Sequence, residues 1–166
     1  MSELPHKHKI LVPGNHDGYC QQEPEDAQGL LEHVEMLIDR AIIIDGIMIY
    51  GSPWSVKFLD WAFMLDEIQL YWKYKFIPVG TRILATHGPA YQCLDYLGVE
   101  WKCDDMHAGS KSLRSVIEKL GIEYVLCGHI HNGYGEMADG MTTYLNSAIM
   151  NDDYIVTNKP QVFDIK

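Results

Sequence analysis

The chain has 166 residues, a net charge of −10 and a pI near 5.1, with 47% hydrophobic and 22% charged residues. That length fits one domain over residues 1–166, and the composition excludes wholesale disorder. The acid excess excludes a general binder of nucleic acid or anionic membrane, whose phosphate contacts need clustered Lys and Arg, but not a phosphate-bearing substrate held through cations.

Met1 to Lys9 is polar, carries His6 and His8, and holds no apolar stretch of the signal-peptide kind. Lys9 to Pro13 predicts a short buried strand that stops at Gly14. Pro24 to Arg40 predicts a helix: Leu30, Leu31, Val34, Leu37 and Ile38 recur at helical spacing, and Glu25 and Asp26 suit its N-terminus. His33 falls on that helix, with a solvated or hydrogen-bonding role. Asp45-Gly46, between the β-branched runs Ala41 to Ile44 and Ile47 to Tyr50, predicts a hairpin. Trp54 to Phe76 is crowded with aromatic residues, and its second half, Asp66 to Lys75, reads as an amphipathic helix.

Arg82 to Ala85 is a further strand, residues 90–108 read as loop, and Ser110 to Leu120 is a helix stopped by Gly121. Tyr124 to Cys127, Thr142 to Leu145 and Gln161 to Ile165 read as strands. No apolar run, Ala41 to Ile44 among them, is long enough to span a bilayer. Cys20, Cys93, Cys103 and Cys127 contain no C-x-x-C pair, which suits a reducing compartment. A soluble, cytoplasmic protein without membrane attachment is expected. Short apolar strands alternating with helices predict an α/β layered fold, and the hairpin makes the sheet mixed.

Three strands stop at loops of Gly and His: Gly14-Asn15-His16-Asp17, Thr86-His87-Gly88-Pro89 and Gly128-His129-Ile130-His131. In open α/β sheets ligands gather at the carboxyl ends of strands, so the three loops are expected to converge. Neutral imidazoles and an amide oxygen suit borderline divalent metals such as Mn, Fe or Zn. His129 and His131, two apart in a loop, can point to two neighbouring ions. His107, before Ala108-Gly109-Ser110 at a helix start, is a candidate substrate contact where an anion could sit. There is no G-x-S-x-G and no P-loop Lys-Ser/Thr, which disfavours a serine nucleophile and a P-loop nucleotide site.

The three motifs resemble the calcineurin-like metallophosphoesterase superfamily, whose ordered signature is D-x-H, G-D, G-N-H-[DE], H and G-H-x-H. More narrowly, Gly51-Ser52-Pro53-Trp54, the T-H-G-P loop, Gly128 to Gly135 and Thr143-Tyr144-Leu145-Asn146-Ser147 are similar to the MPPED-type subgroup. The resemblance implies a four-layer α/β/β/α sandwich with mixed sheets and a two-metal site at the strand ends. It implies Asn15, His87 and His129 on one metal, His131 on the other, and Gly14 next to bound substrate. His16 would contact the scissile phosphate and protonate the leaving group, oriented by Asp17. The implied activity is hydrolysis of phosphomonoesters or phosphodiesters, cyclic nucleotides among them, by metal-activated hydroxide, on a small phosphate ester or nucleotide substrate.

The resemblance breaks upstream of Gly14, where 13 residues stand and none is Asp. The D-x-H and G-D elements, which would supply an Asp and a His to the first metal and the Asp bridging both, do not occur there, so the domain reads as partial. Three arrangements are compatible with this: a piece of a longer enzyme; a second chain or second copy that completes the fold; or stand-in carboxylates from Asp104, Asp105, Asp139, Asp152 and Asp153. Nothing in the sequence brings that pool near His131. The alternative to an active hydrolase is a truncated homologue that serves as a binding or assembly subunit.

Overall fold

A computed structural model describes residues 4–99, 101 and 105–165. Cys103 and Asp104 therefore lie outside the described residues. The chain runs β1 (Ile10–Leu11), α1 (Gly18–Gln22), α2 (Pro24–Gly29), β2 (Glu35–Met36), β3 (Arg40–Ile44), β4 (Ile47–Ser52), β5 (Ser55–Val56), β6 (Met64–Leu65), α3 (Glu67–Tyr74), β7 (Ile83–Thr86), α4 (Lys111–Leu120), β8 (Tyr124–Cys127), β9 (Gly135–Asp139) and β10 (Thr142–Asn146). No helix among the described residues is long and apolar enough to cross a membrane.

The expected mixed α/β architecture is the one adopted. A six-stranded sheet has the order β3-β4-β7-β8-β10-β9, and β1-β2 and β5-β6 form two smaller sheets. Strands β4, β7, β8 and β10 are mutually parallel, while β3 and β9 close the edges as antiparallel hairpin partners. Parallel strands are covered on their faces, and here Tyr50, Leu84, Val125 and Tyr144 meet Leu70, Tyr74, Leu113 and Ile117 from α3 and α4 in one buried cluster.

Local chemistry accounts for the well-formed elements. Asp45 and Gly46 both take positive φ (49° and 81°), the twist-matched hairpin turn that Asp-Gly favours. Asp66 and Gln69 form a capping box at the start of α3. Ser110 caps α4, and Gly121 ends it in the left-handed conformation. Glu67 then joins the two helices: its carboxylate accepts the Lys111 N–H at 2.9 Å and the Ser112 N–H at 3.0 Å, and sits at the positive end of α4.

Four expectations need correction. The helix beginning at Pro24 ends at Gly29, and does not run to Arg40. Gln28 bonds both Val34 O and Met36 N–H, folding the chain back into β2, and Leu37 is fully buried against Gly51, where any β-carbon would overlap it. His33 is consequently a loop residue with φ of 57°. The first strand spans Ile10–Leu11 only, paired in parallel with β2, and Gln161 to Ile165 forms no strand. The strand β9 and the short pair β5-β6, inside the aromatic segment, carry too little period-two pattern to be read from sequence.

Replacing Glu67 by Ala is expected to cost about 1–2 kcal/mol, because it uncaps α4 and unties it from α3. Urea denaturation of Glu67→Ala beside the wild type measures this, with little change expected in the urea dependence itself.

Candidate active site

The parallel ladder continues past the strand ends: His87 N–H donates to Ser52 O at 3.2 Å, Gly128 N–H to His87 O at 3.0 Å, and Ser147 N–H to Cys127 O at 2.8 Å. This fixes the two histidine loops side by side. The rings of His87 and His129 lie 4.5 Å apart between centroids and are tilted by 49°. His129 holds φ at 67°, a strained setting for a residue with a β-carbon and one that concentrates at functional sites.

The third loop arrives from β1. Its turn is closed by Asp17, whose N–H donates to Gly14 O at 3.0 Å and whose carboxylate accepts the Gly14 N–H at 2.7 Å. Asn15 is buried, and its Oδ1 lies 2.7 Å from His87 Nε2. A β-carbon on Gly14 would overlap the His87 ring, so only glycine lets the two loops meet this closely. Ser55 Oγ, buried beside Gly88, has no hydrogen-bond partner among the described residues.

Burial governs the electrostatics. It drives the His87 imidazole down to about 3 from an ordinary 6.5, with smaller contributions from the positive charge of His129 and His16. Burial likewise lowers His129 to about 4, aided by His131 and His16. Both rings are neutral at pH 7; the His87 Nε2–H donates to Asn15 Oδ1, which leaves the lone pair of that ring on Nδ1.

The remaining expected residues fall into two groups. His16 is exposed at the rim, its ring 4.8 Å from Trp61 and 6.4 Å from Tyr154. The Asp17 carboxylate accepts the Gly14 N–H through Oδ2 and so shapes the turn that carries His16. His131 starts a 3-10 turn, with Nδ1 3.3 Å from Asp152 Oδ1 and its ring 5.4 Å from Tyr154. His107 belongs to a different cluster: Nδ1 lies 2.7 Å from the buried Asp95, and Tyr91 and Tyr96 flank the ring. The anion expected at the neighbouring helix start is the chain's own Glu67.

Comparison with known proteins decides the family. A family model described as calcineurin-like phosphoesterase matches residues 1–133. The chain belongs to that family. Metallophosphoesterase domain-containing protein 1 of Homo sapiens is 33% identical over 192 residues, covering 99% of this chain and 57% of that protein. A UPF0046 protein of Caenorhabditis elegans is 30% identical over 199 residues, covering 99% of this chain and 48% of its own length. A solved crystal structure shares the fold, with a TM-score of 0.61 at 17% identity over 84% of this chain and 56% of that one. These relatives bear out the resemblance to the MPPED-type subgroup, and the chain spans 48% to 64% of the curated relatives' length.

Calcineurin-like phosphoesterases as a family act on phosphoric esters and generally use divalent metals. The donors of this chain fit one such ion in part. Among the described residues no three His, Cys, Asp or Glu side chains form a metal-holding group; the Asn15 amide oxygen could serve as a third donor beside His87 and His129. All three donors are neutral, which favours a borderline ion over Ca or Mg.

Trp61 and Tyr154 are the neighbours that sequence reading did not attach to the site. Of the carboxylate pool, Asp152 does reach His131; Asp139 is taken up by Arg114, and Asp105 by Tyr91 and the His107 N–H. The Asn151-Asp152-Asp153 turn signal marks the loop but not its destination.

Two outcomes are expected. Gly14→Ala pushes His87 off Asn15, lowers stability by about 1–3 kcal/mol and weakens divalent-metal binding, checked by denaturation and calorimetric titration. For pH, both imidazoles are depressed in the fold, so the unfolded chain binds more protons between about pH 4 and 6.5; their contribution to stability is full above that window and is lost as pH falls through it. Denaturation of metal-free protein across the window should show His129→Gln with a slope smaller by about one proton, or about 1.4 kcal/mol per pH unit.

Proposed function

We propose that this chain is a metal-dependent phosphoesterase acting on small phosphomonoesters or phosphodiesters. The observation that carries the reading is the meeting of Asn15, His87 and His129 at adjoining strand ends, with His16 exposed on the same turn as Asn15. Asn15, His87 and His129 would hold one divalent ion, of Mn, Fe or Zn type, and His131 would face a second. Such ions neutralise charge on phosphoryl oxygens and acidify a water molecule.

The chain's own residues do the rest. Burial keeps His87 and His129 neutral, so neither repels a cation by carrying a proton at working pH. Gly14 contributes by the side chain it lacks, which admits the His87 ring. His16, solvent-facing and hence able to exchange protons, gives one to the departing alkoxide. Cyclic nucleotides are included among the diesters on the strength of the subgroup likeness. His107, paired with Asp95, has no part in this reading.

A second reading, a binding or assembly subunit completed by another chain or copy, is favoured by edge strand β3, where Ile43 is 67% exposed. Titration with Mn(II) separates the two. The enzyme reading expects one or two ions per chain, at least tenfold weaker binding in His87→Ala and His129→Ala, and hydrolysis of bis-p-nitrophenyl phosphate. His16→Ala should keep Mn affinity and lose roughly 10²- to 10⁴-fold in kcat. Absence of both Mn binding and hydrolysis, of this ester and of a 2′,3′-cyclic nucleotide, defeats the reading.

A further inference from the structure

We infer that Trp61 and Tyr154 form a stacking clamp around His16 that selects phosphate esters whose leaving group carries a flat aromatic ring. The inference deepens the phosphoesterase reading and rests on it, because it takes His16 as the group beside the leaving oxygen.

Whatever is attached to the oxygen that His16 protonates must lie against the neighbours of His16. Those neighbours are rings. Trp61 sits 4.8 Å from the His16 centroid at 46°, and Tyr154 sits 6.4 Å away, edge-on at 84°. Tyr154 also stands 5.4 Å from His131 at 87°, so one side chain touches both rim histidines. Trp61 and Tyr154 remain 44% and 61% exposed, which leaves ring surface open to a ligand. Singly scattered apolar residues on a surface need no explanation. Two aromatic rings brought to one histidine from segments more than 90 positions apart in the chain do.

Tyr154 is held in place before any ligand arrives. Its φ of 59° lies in the left-handed region, which is costly for a bulky side chain and persists only where surrounding bonds enforce it. Asn151 supplies those bonds. Its Oδ1 accepts the N–H groups of Asp153 at 3.1 Å and Ile155 at 2.9 Å, its carbonyl accepts the Tyr154 N–H at 2.9 Å, and its own N–H donates to Ile155 O at 3.0 Å. The Met150–Val156 bridge closes the loop, and Asp152, 3.3 Å from His131 Nδ1, ties the loop to the G-H-I-H segment. A ring fixed in advance loses little freedom on binding.

Aromatic rings prefer edge-to-face or offset partners and gain from them beyond buried area, which a saturated ring of the same size cannot match. Benzyl phosphate and cyclohexylmethyl phosphate are therefore a suitable pair, with similar alcohols and leaving groups that differ in aromaticity. With Mn(II) present, the wild-type chain should favour the benzyl ester by roughly two- to tenfold in kcat/KM. The preference should fall to about one in Trp61→Leu and Tyr154→Leu and persist in Tyr154→Phe. Tyr154→Leu lies in an exposed loop and keeps the test open if Trp61→Leu fails to fold. Calorimetric binding of benzylphosphonate and cyclohexylmethylphosphonate, which are not hydrolysed, supplies the second readout. Equal use of both esters by the wild type, or a preference that survives Tyr154→Leu, overturns the clamp while leaving the phosphoesterase reading intact. If neither ester is hydrolysed but benzylphosphonate binds more tightly and Tyr154→Leu removes the difference, the clamp stands and the phosphoesterase reading falls. If neither is hydrolysed and the phosphonates bind equally or not at all, both fall.

Discussion

The candidate site depends on the seating of the His87 ring against a stretch of backbone with no side chain. Gly14 provides it, and a single added carbon there would occupy the space of the imidazole. From that contact follow the 2.7 Å approach of Asn15 to His87 and the position of His16 one residue further on. The loop from the small β1-β2 sheet is thereby registered against the large sheet, although no strand pairing joins the two.

The sheet supplies what the loop cannot. Parallel strands end together on one side, so the residues after β4, β7, β8 and β10 form a common row, and the row carries backbone bonds one step beyond the strands themselves. Partial burial of that row has two effects that pull together. It holds the imidazoles without their second proton, and it removes water that would otherwise compete for their nitrogens. The rim, where His16 and His131 meet aromatic rings, stays open to solvent and is made of segments far apart in sequence.

What the sequence shows plainly is what is encoded within a few residues. Asp45-Gly46, the Asp66 and Ser110 caps and Gly121 each fix a boundary by local hydrogen bonding or backbone freedom, and the structure follows them. The three Gly-His loops are legible for the same reason. The stretch after Gly29 misleads because Leu37 is apolar for a tertiary reason: it packs on Gly51, and its spacing from Leu30 is incidental, since Leu30 is 75% exposed. Trp61 and Tyr154 are illegible as site residues, and Asp152 stands out from no other carboxylate of its pool, because their approach to the histidines is set by how distant segments come together, which no local pattern records.

The backbone bonds that join Ser52, His87 and Gly128 have a kinetic consequence. The two histidine loops are sewn together by an amide at the end of a central strand, so neither can swing away by itself. The amides of His87 and Gly128 should therefore exchange with solvent deuterium only when the strands part, on the slow timescale of whole-domain opening. The floor of this site opens only when the sheet itself does.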